Sequence, residues 1–189
     1  MTTDAFATDS ARDDRLVLVD VLDREVGTAT KERAHFEGLL HRAFSVQLVR
    51  DGQDGPELLL TRRAEGKYHS GGLWTNSVCS HPRAGETLAQ AVPRRMVEEL
   101  GVPELAGLPC RELGSFVYRH DFGTGVTEYE LDHVFVAPWD GAPNPDPTEC
   151  SEWRWVPAAE VMRMLLEEPQ ALTVWFVNVA SLVLADICG

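Results

Sequence analysis

Polar and apolar residues alternate along Phe44-Ser45-Val46-Gln47-Leu48-Val49, and a second apolar run, Glu57-Leu58-Leu59-Leu60-Thr61, follows the turn-rich Asp51-Gly52-Gln53-Asp54-Gly55-Pro56. Two such runs joined by a turn predict a β-hairpin. Over residues 85–100 the apolar spacing lengthens to that of a helix, with Gly101 placed to cap its C-terminus. Pro93 falls inside this stretch and predicts either a kink or the first turn of a shorter helix. Gly71, Gly72 and Pro82 bracket a segment around Cys79 that is expected on a strand or loop entering that helix. Strands are expected at residues 111–119 and 128–138, then a Pro/Gly/Asn/Asp loop over 139–147 and a short strand at 153–156. Two helices, 157–168 and 170–185, complete the pattern, and no internal repeat interrupts it. Strands with helices outside them predict a mixed α/β (α+β) layered domain.

A chain of 189 residues, 44% of them hydrophobic, is the size of one domain with a real core. Residues 1–14 are small, polar and acidic. They are expected to form a disordered leader, not a signal peptide, ahead of a single domain over 15–189. Cys79, Cys110, Cys150 and Cys188 show no CxxC spacing, so reduced thiols and a cytoplasmic location are the simpler expectation. The apolar stretch 172–187 is broken by Asn178, Ser181 and Asp186 and is shorter than the roughly 20 residues that cross a bilayer. It reads as a buried terminal helix, with no membrane partner. A net charge of -13 repels polyanions and disfavours a nucleic-acid partner. Any anionic ligand must be drawn in by local cations or metal ions.

Two features carry candidate chemistry. Residues two apart on a strand share a face, so Glu128 and Glu130 can converge on one ion or substrate while Tyr129 turns away. The helical stretch is also rich in carboxylates, which by itself is equally a solvated face. No GxGxxG follows a strand, so neither flavin nor nicotinamide is implied.

Three segments acquire meaning together: Trp74-Thr75-Asn76-Ser77-Val78-Cys79-Ser80-His81-Pro82, then Arg94-Arg95-Met96-Val97-Glu98-Glu99-Leu100-Gly101, then Glu128-Tyr129-Glu130. Their order and wording resemble the type 1 isopentenyl diphosphate isomerases, a divergent branch of the Nudix superfamily. Glu86, Arg94, Met96, Glu98, Glu99, Gly101 and Val102 match the Nudix box, whereas Ser80 stands for its opening Gly and Arg95 for a closing Glu. Ordinary Nudix hydrolases need that carboxylate cluster for their divalent metals. Arg95 therefore argues against hydrolysis.

The resemblance implies a Nudix-type mixed β-sheet sandwiched between helices. It implies interconversion of isopentenyl and dimethylallyl diphosphate, in isoprenoid biosynthesis, through a tertiary carbocation. Carried over residue by residue, Cys79 and Glu130 occupy the two faces of the substrate, with Tyr118 beside Glu130 and Trp175, in the last helix, facing the cation. Lys31, Arg63 and Lys67 match positions that hold the diphosphate. His35, His41, His81, Glu128 and Glu130 match a site for one Mn²⁺, Zn²⁺ or Mg²⁺, and Glu99 with the Cys79 carbonyl a Mg²⁺ bound with the diphosphate. His69 and His120 match no ligand position, and His133 is out of register with Glu130. The rival readings are a Nudix hydrolase acting on a nucleoside diphosphate derivative and a catalytically silent binding domain.

Overall fold

The computed structural model describes residues 15–123 and 125–189. The leader expected over 1–14 lies outside the described residues. Strands β1 (Arg15–Val19) and β2 (Glu25–Thr30) lead into helix α1 (Lys31–Glu37). The expected hairpin is β3 (His41–Gly52) with β4 (Gly55–Arg63), paired antiparallel from Val49↔Leu58 to Gly52↔Gly55. Short strands β5 (Trp74–Thr75) and β6 (Val78–Ser80) precede α2 (Leu88–Leu100), and β7 (Arg111–Asp121), β8 (Thr127–Pro138) and β9 (Cys150–Pro157) follow. Helices α3 (Ala158–Glu167) and α4 (Phe176–Cys188) close the described chain.

Period-two alternation sorts the sheet's side chains into two cores. Phe44, Val46, Leu48 and Leu59 pack against Ala91, Val92 and Met96 of α2. Leu58, Leu60 and Val134 face the other way, against Val161 of α3 and Phe176, Val179 and Val183 of α4. The sheet is therefore sandwiched between helices, as expected.

Pro93 is the sixth residue of α2, so it neither opens the helix nor ends it. Its missing N–H leaves the Ala89 carbonyl without the usual intrahelical donor. At the N-terminus Gln90 Oε1 accepts from the Thr87 N–H at 3.0 Å, and Gly101 closes the C-terminus at φ 66°. A Cβ at Gly101 would lie 2.0 Å from the Asn144 carbonyl oxygen, so glycine is required for both reasons. The final helix departs from the expected 170–185. The Thr173 N–H donates to the Trp74 carbonyl at 3.0 Å, and this strand-like contact separates the turn Pro169–Ala171 from α4. Trp175 consequently precedes the last helix, as its N-cap, instead of lying within it.

Candidate active site

Register across four neighbouring strands assembles the site. The pairing of β3 with β8 is parallel and sets His41 opposite Glu130, while antiparallel β7 sets Tyr118 opposite the same Glu130. On its other edge β3 pairs with β6, placing Ser45 opposite Cys79. Glu128, Glu130 and Asp132 alternate onto one face of β8, and His133 onto the opposite one. There His133 meets Glu112 at 2.7 Å and Asp23 at 3.1 Å, away from the site as its register predicted.

His35 arrives from α1, a helix the sequence pattern left unassigned. Its boundary signals were nonetheless present: Thr30 accepts from the Arg33 N–H at 3.3 Å as N-cap, and Gly38 ends the helix at φ 62°. Between them a seven-residue helix aims His35 inward. His35, His41, His81 and Glu130 then present ligand atoms that all lie within 4.8 Å of one another. His81 Nε2 is 2.9 Å and His41 Nε2 3.4 Å from Glu130 Oε1, and His41 Nδ1 is anchored 2.8 Å from the Leu39 carbonyl. The Nε2 atoms of His35 and His41 are buried without a hydrogen-bond partner. Donors at about 2.0–2.2 Å from one ion lie within about 4.4 Å of each other, so a few tenths of an ångström of contraction suits this group to a single cation.

Charge at this cluster is set by burial and by Glu130. Burial pushes His35 down to about 3, with help from His81 and His41, and it also lowers His81. His41 goes the other way, because its contact with Glu130 outweighs burial. Glu130 is held well below the usual carboxylate range: burial works against ionisation, and the His81 and His41 imidazoles overrule it.

Glu128, expected as a further ligand, is outside this four-residue group. Its Oε2 accepts from the Tyr118 hydroxyl at 2.9 Å, and its Oε1 lies 2.7 Å from His69 Nε2, off the line of a hydrogen bond. Tyr118 also reaches Glu130 Oε2 at 2.7 Å, so one phenol bridges both carboxylates. His69 matched no ligand position, yet its side chain is only 2% exposed, wedged against Phe122, Tyr68 and Trp175. A histidine four residues after an isolated Glu65 carries no spacing signal, which is why sequence reading missed it.

Cys79 lines one pocket with His81, Tyr118, Glu128 and Glu130. Burial, reinforced by Asp132, pushes its thiol up to about 12, so it is protonated at neutral pH. Trp175, 3% exposed, donates from Nε1 to Cys79 Sγ at 3.0 Å.

The three expected diphosphate-binding cations all line this pocket. The Arg63 guanidinium carbon sits 5.4 Å from the Trp175 ring centre, with Nε buried and unbonded. Lys67 Nζ donates to Glu149 Oε2 at 2.5 Å, and Lys31 Nζ is 5.4 Å from the Tyr68 ring centre. Glu99 faces the pocket too, but its carboxylate is bonded to Arg95. Arg95, noted in the sequence only as a departure from the Nudix pattern, is thus a fourth guanidinium or ammonium group on the pocket wall.

The NUDIX domain model matches residues 39–176 of this chain. A Burkholderia multivorans protein named isopentenyl-diphosphate Delta-isomerase is 44% identical over 164 residues, covering 87% of this chain and 89% of the relative. The chain belongs to the isopentenyl-diphosphate Delta-isomerases of the Nudix family. An Aromatoleum aromaticum relative named isopentenyl-diphosphate Delta-isomerase 2 is 45% identical over 86% of this chain and 82% of its own length. Among solved structures, a Deinococcus radiodurans protein superposes with a TM-score of 0.69 at 24% identity, covering 88% of this chain and 97% of that one. The NUDIX domain of Shewanella oneidensis NrtR gives 0.59 at 18% identity over 78% and 86%. These two likenesses speak to the fold alone. Among the described residues no helix is long and apolar enough to cross a membrane.

Proposed function

We infer that this chain interconverts isopentenyl and dimethylallyl diphosphate, moving a double bond by protonation and deprotonation through a tertiary carbocation. The observation that carries the reading is one pocket lined by Cys79, Glu130, Tyr118 and Trp175 in a member of this family. An unactivated alkene is a very weak base. Its protonation requires a positioned acid, a base on the other face and a dry surrounding that tolerates positive charge.

Each residue has a task that its surroundings favour. Cys79, protonated at neutral pH and bonded by Trp175, offers a proton at one face. Glu130 works at the other, where the Tyr118 hydroxyl lies 2.7 Å away to accompany a proton to or from its carboxylate. The Trp175 ring presents a π-face to the cation while its N–H holds the sulfur. Lys31, Arg63 and Lys67 bind the diphosphate, and Lys67 exchanges Glu149 for a phosphate oxygen; Arg63 can fork onto two oxygens whereas the lysines act as point charges. His35, His41, His81 and Glu130 would hold one Mn²⁺, Zn²⁺ or Mg²⁺, and Glu99 with the Cys79 carbonyl a Mg²⁺ accompanying the diphosphate, to orient carboxylate and offset negative charge.

The hydrolase alternative loses ground at Arg95, which ties up Glu98 and Glu99 where hydrolases need free carboxylates. Incubating metal-loaded protein with isopentenyl diphosphate in D₂O and following the mixture by NMR decides between them. Deuterium in the methyl groups of dimethylallyl diphosphate is expected. Release of phosphate with the double bond unmoved would sink the isomerase reading.

A further inference from the structure

Behind Cys79 lies a buried amide whose orientation is fixed by the backbone. Asn76, between β5 and β6, is 0% exposed. Its Nδ2 donates to the Val78 carbonyl at 2.7 Å and to the Val46 carbonyl at 3.3 Å. Turning the amide over would set Oδ1 against two carbonyl oxygens, so only one orientation satisfies the site. Oδ1 is left facing Cys79 Sγ, from which it accepts a hydrogen bond at 2.8 Å.

The competing partners of the thiol are weaker. Ser45 Oγ is 3.5 Å and Thr75 Oγ1 3.8 Å from Sγ. The Ser45 proton goes to Asp132 Oδ2 at 2.8 Å and the Thr75 proton to Asn76 Oδ1 at 3.0 Å, so neither hydroxyl has one left for the sulfur. Thr75 is itself held by the Thr173 hydroxyl at 3.0 Å. The sulfur is therefore bracketed by one close acceptor, Asn76, and one close donor, Trp175.

We propose that Asn76 is a positioning residue for the reaction: in the resting protein its side-chain oxygen anchors the Cys79 thiol through the thiol proton, fixing where the sulfur sits until that proton turns to the substrate. The kinetic side of this proposal rests on the isomerase reading. Its structural side concerns the resting protein alone. A thiol shared between several weak acceptors would leave the sulfur in several places. A single acceptor with an immobile amide removes that freedom before substrate arrives.

Infrared difference spectra of resting wild type against Cys79→Ser isolate the S–H stretch of Cys79. In wild type the band is expected below the frequency of a free thiol, and in Asn76→Leu it is expected to move back towards it. Turnover of Asn76→Leu should fall about 10²-fold in kcat with KM little changed, as for other misplaced reacting groups. Asn76→Asp should recover much of the rate. A carboxyl buried against two carbonyls keeps its proton, donating it to one of them and leaving an oxygen for the thiol. A wild-type band at the free-thiol position overturns the proposal without any Asn76 variant having to fold. So does folded Asn76→Leu with kcat within about threefold of wild type, well short of the loss expected of a misplaced reacting group. A bonded thiol in a protein that moves no double bond overturns the isomerase reading and, with it, the kinetic role of Asn76.

Discussion

Glu130 and Glu99 are carboxylates on walls of the same pocket, and burial pushes both towards the neutral form, yet they end on opposite sides of the ordinary range. Glu130 is surrounded by imidazoles and is held low, ionised and ready to share an ion with them. Glu99 is raised, because burial and the nearby Glu149 outweigh even its bonded partner Arg95. The other carboxylates on and just before that helix are similarly occupied by arginine: Arg94 grips both oxygens of Glu86 at 2.6 Å and reaches Glu98 at 3.0 Å. Two carboxylate-rich regions thus serve different chemistry. A carboxylate beside imidazoles suits a shared cation, whereas one beside guanidinium groups is a structural anchor until something displaces its partner.

The largest effect should separate the two ends directly. Glu130→Gln is expected to cut turnover on the order of 10²–10⁴-fold, since it removes the proposed acid–base group, and to release metal from the histidine cluster. Glu98→Gln, partly exposed on α2, should stay within about threefold because a surface ion pair contributes little. Comparable losses in both variants, measured by NMR turnover and metal content, would erase the distinction.

Arg95→Glu tests the other end by restoring the carboxylate of the hydrolase pattern. Glu99 would lose its partner and face a like charge, so KM for the diphosphate should rise about tenfold or more, equivalent to at least about 1.4 kcal/mol. Affinity of the helix for Mn²⁺ should increase at the same time, read by titration calorimetry. An unchanged KM would mean that Arg95 is not part of the diphosphate pocket.

Acid should empty the imidazole end first. The Glu130 contact raises the proton affinity of His41, and protons compete with a cation for imidazole nitrogen, so metal retention should fall as pH drops through the range where His41 charges. Metal content after equilibrium dialysis across that range provides the check; retention that ignores pH would remove His41 from the ligand set.

The smallest effect concerns the aromatic wall beside Cys79. Trp175→Phe should outperform Trp175→Leu by roughly 0.5–2 kcal/mol, about 2- to 30-fold in rate, because only Phe keeps a π-face for a cation. Turnover should be compared per folded, metal-loaded molecule. Equal rates would make Trp175 a packing residue that happens to bond the sulfur.

Much of this was legible along the chain. The alternation through Phe44 to Leu48 and the apolar run Leu58 to Leu60 placed the hairpin, and the same period put Glu128 and Glu130 on one face and His133 on the other. Those are local consequences of backbone geometry, which repeats every two residues in a strand whatever surrounds it. The resemblance carried by the Cys79 and Arg94–Gly101 segments pointed to the residues that line the pocket. Which atoms meet inside it was a matter of tertiary structure. His35, His41, His81 and Glu130 come from four separated stretches, and only the parallel register of β3 on β8 and the inward aim of α1 bring them within reach. The same long-range packing drew His69 to Glu128, closed Arg95 onto Glu99, and pulled Thr173 into a strand-like contact that left Trp175 outside its helix and against Cys79. Local pattern determines which face a side chain leaves from; the partner it finds depends on elements far away in sequence, whose positions are set by the burial of both cores together.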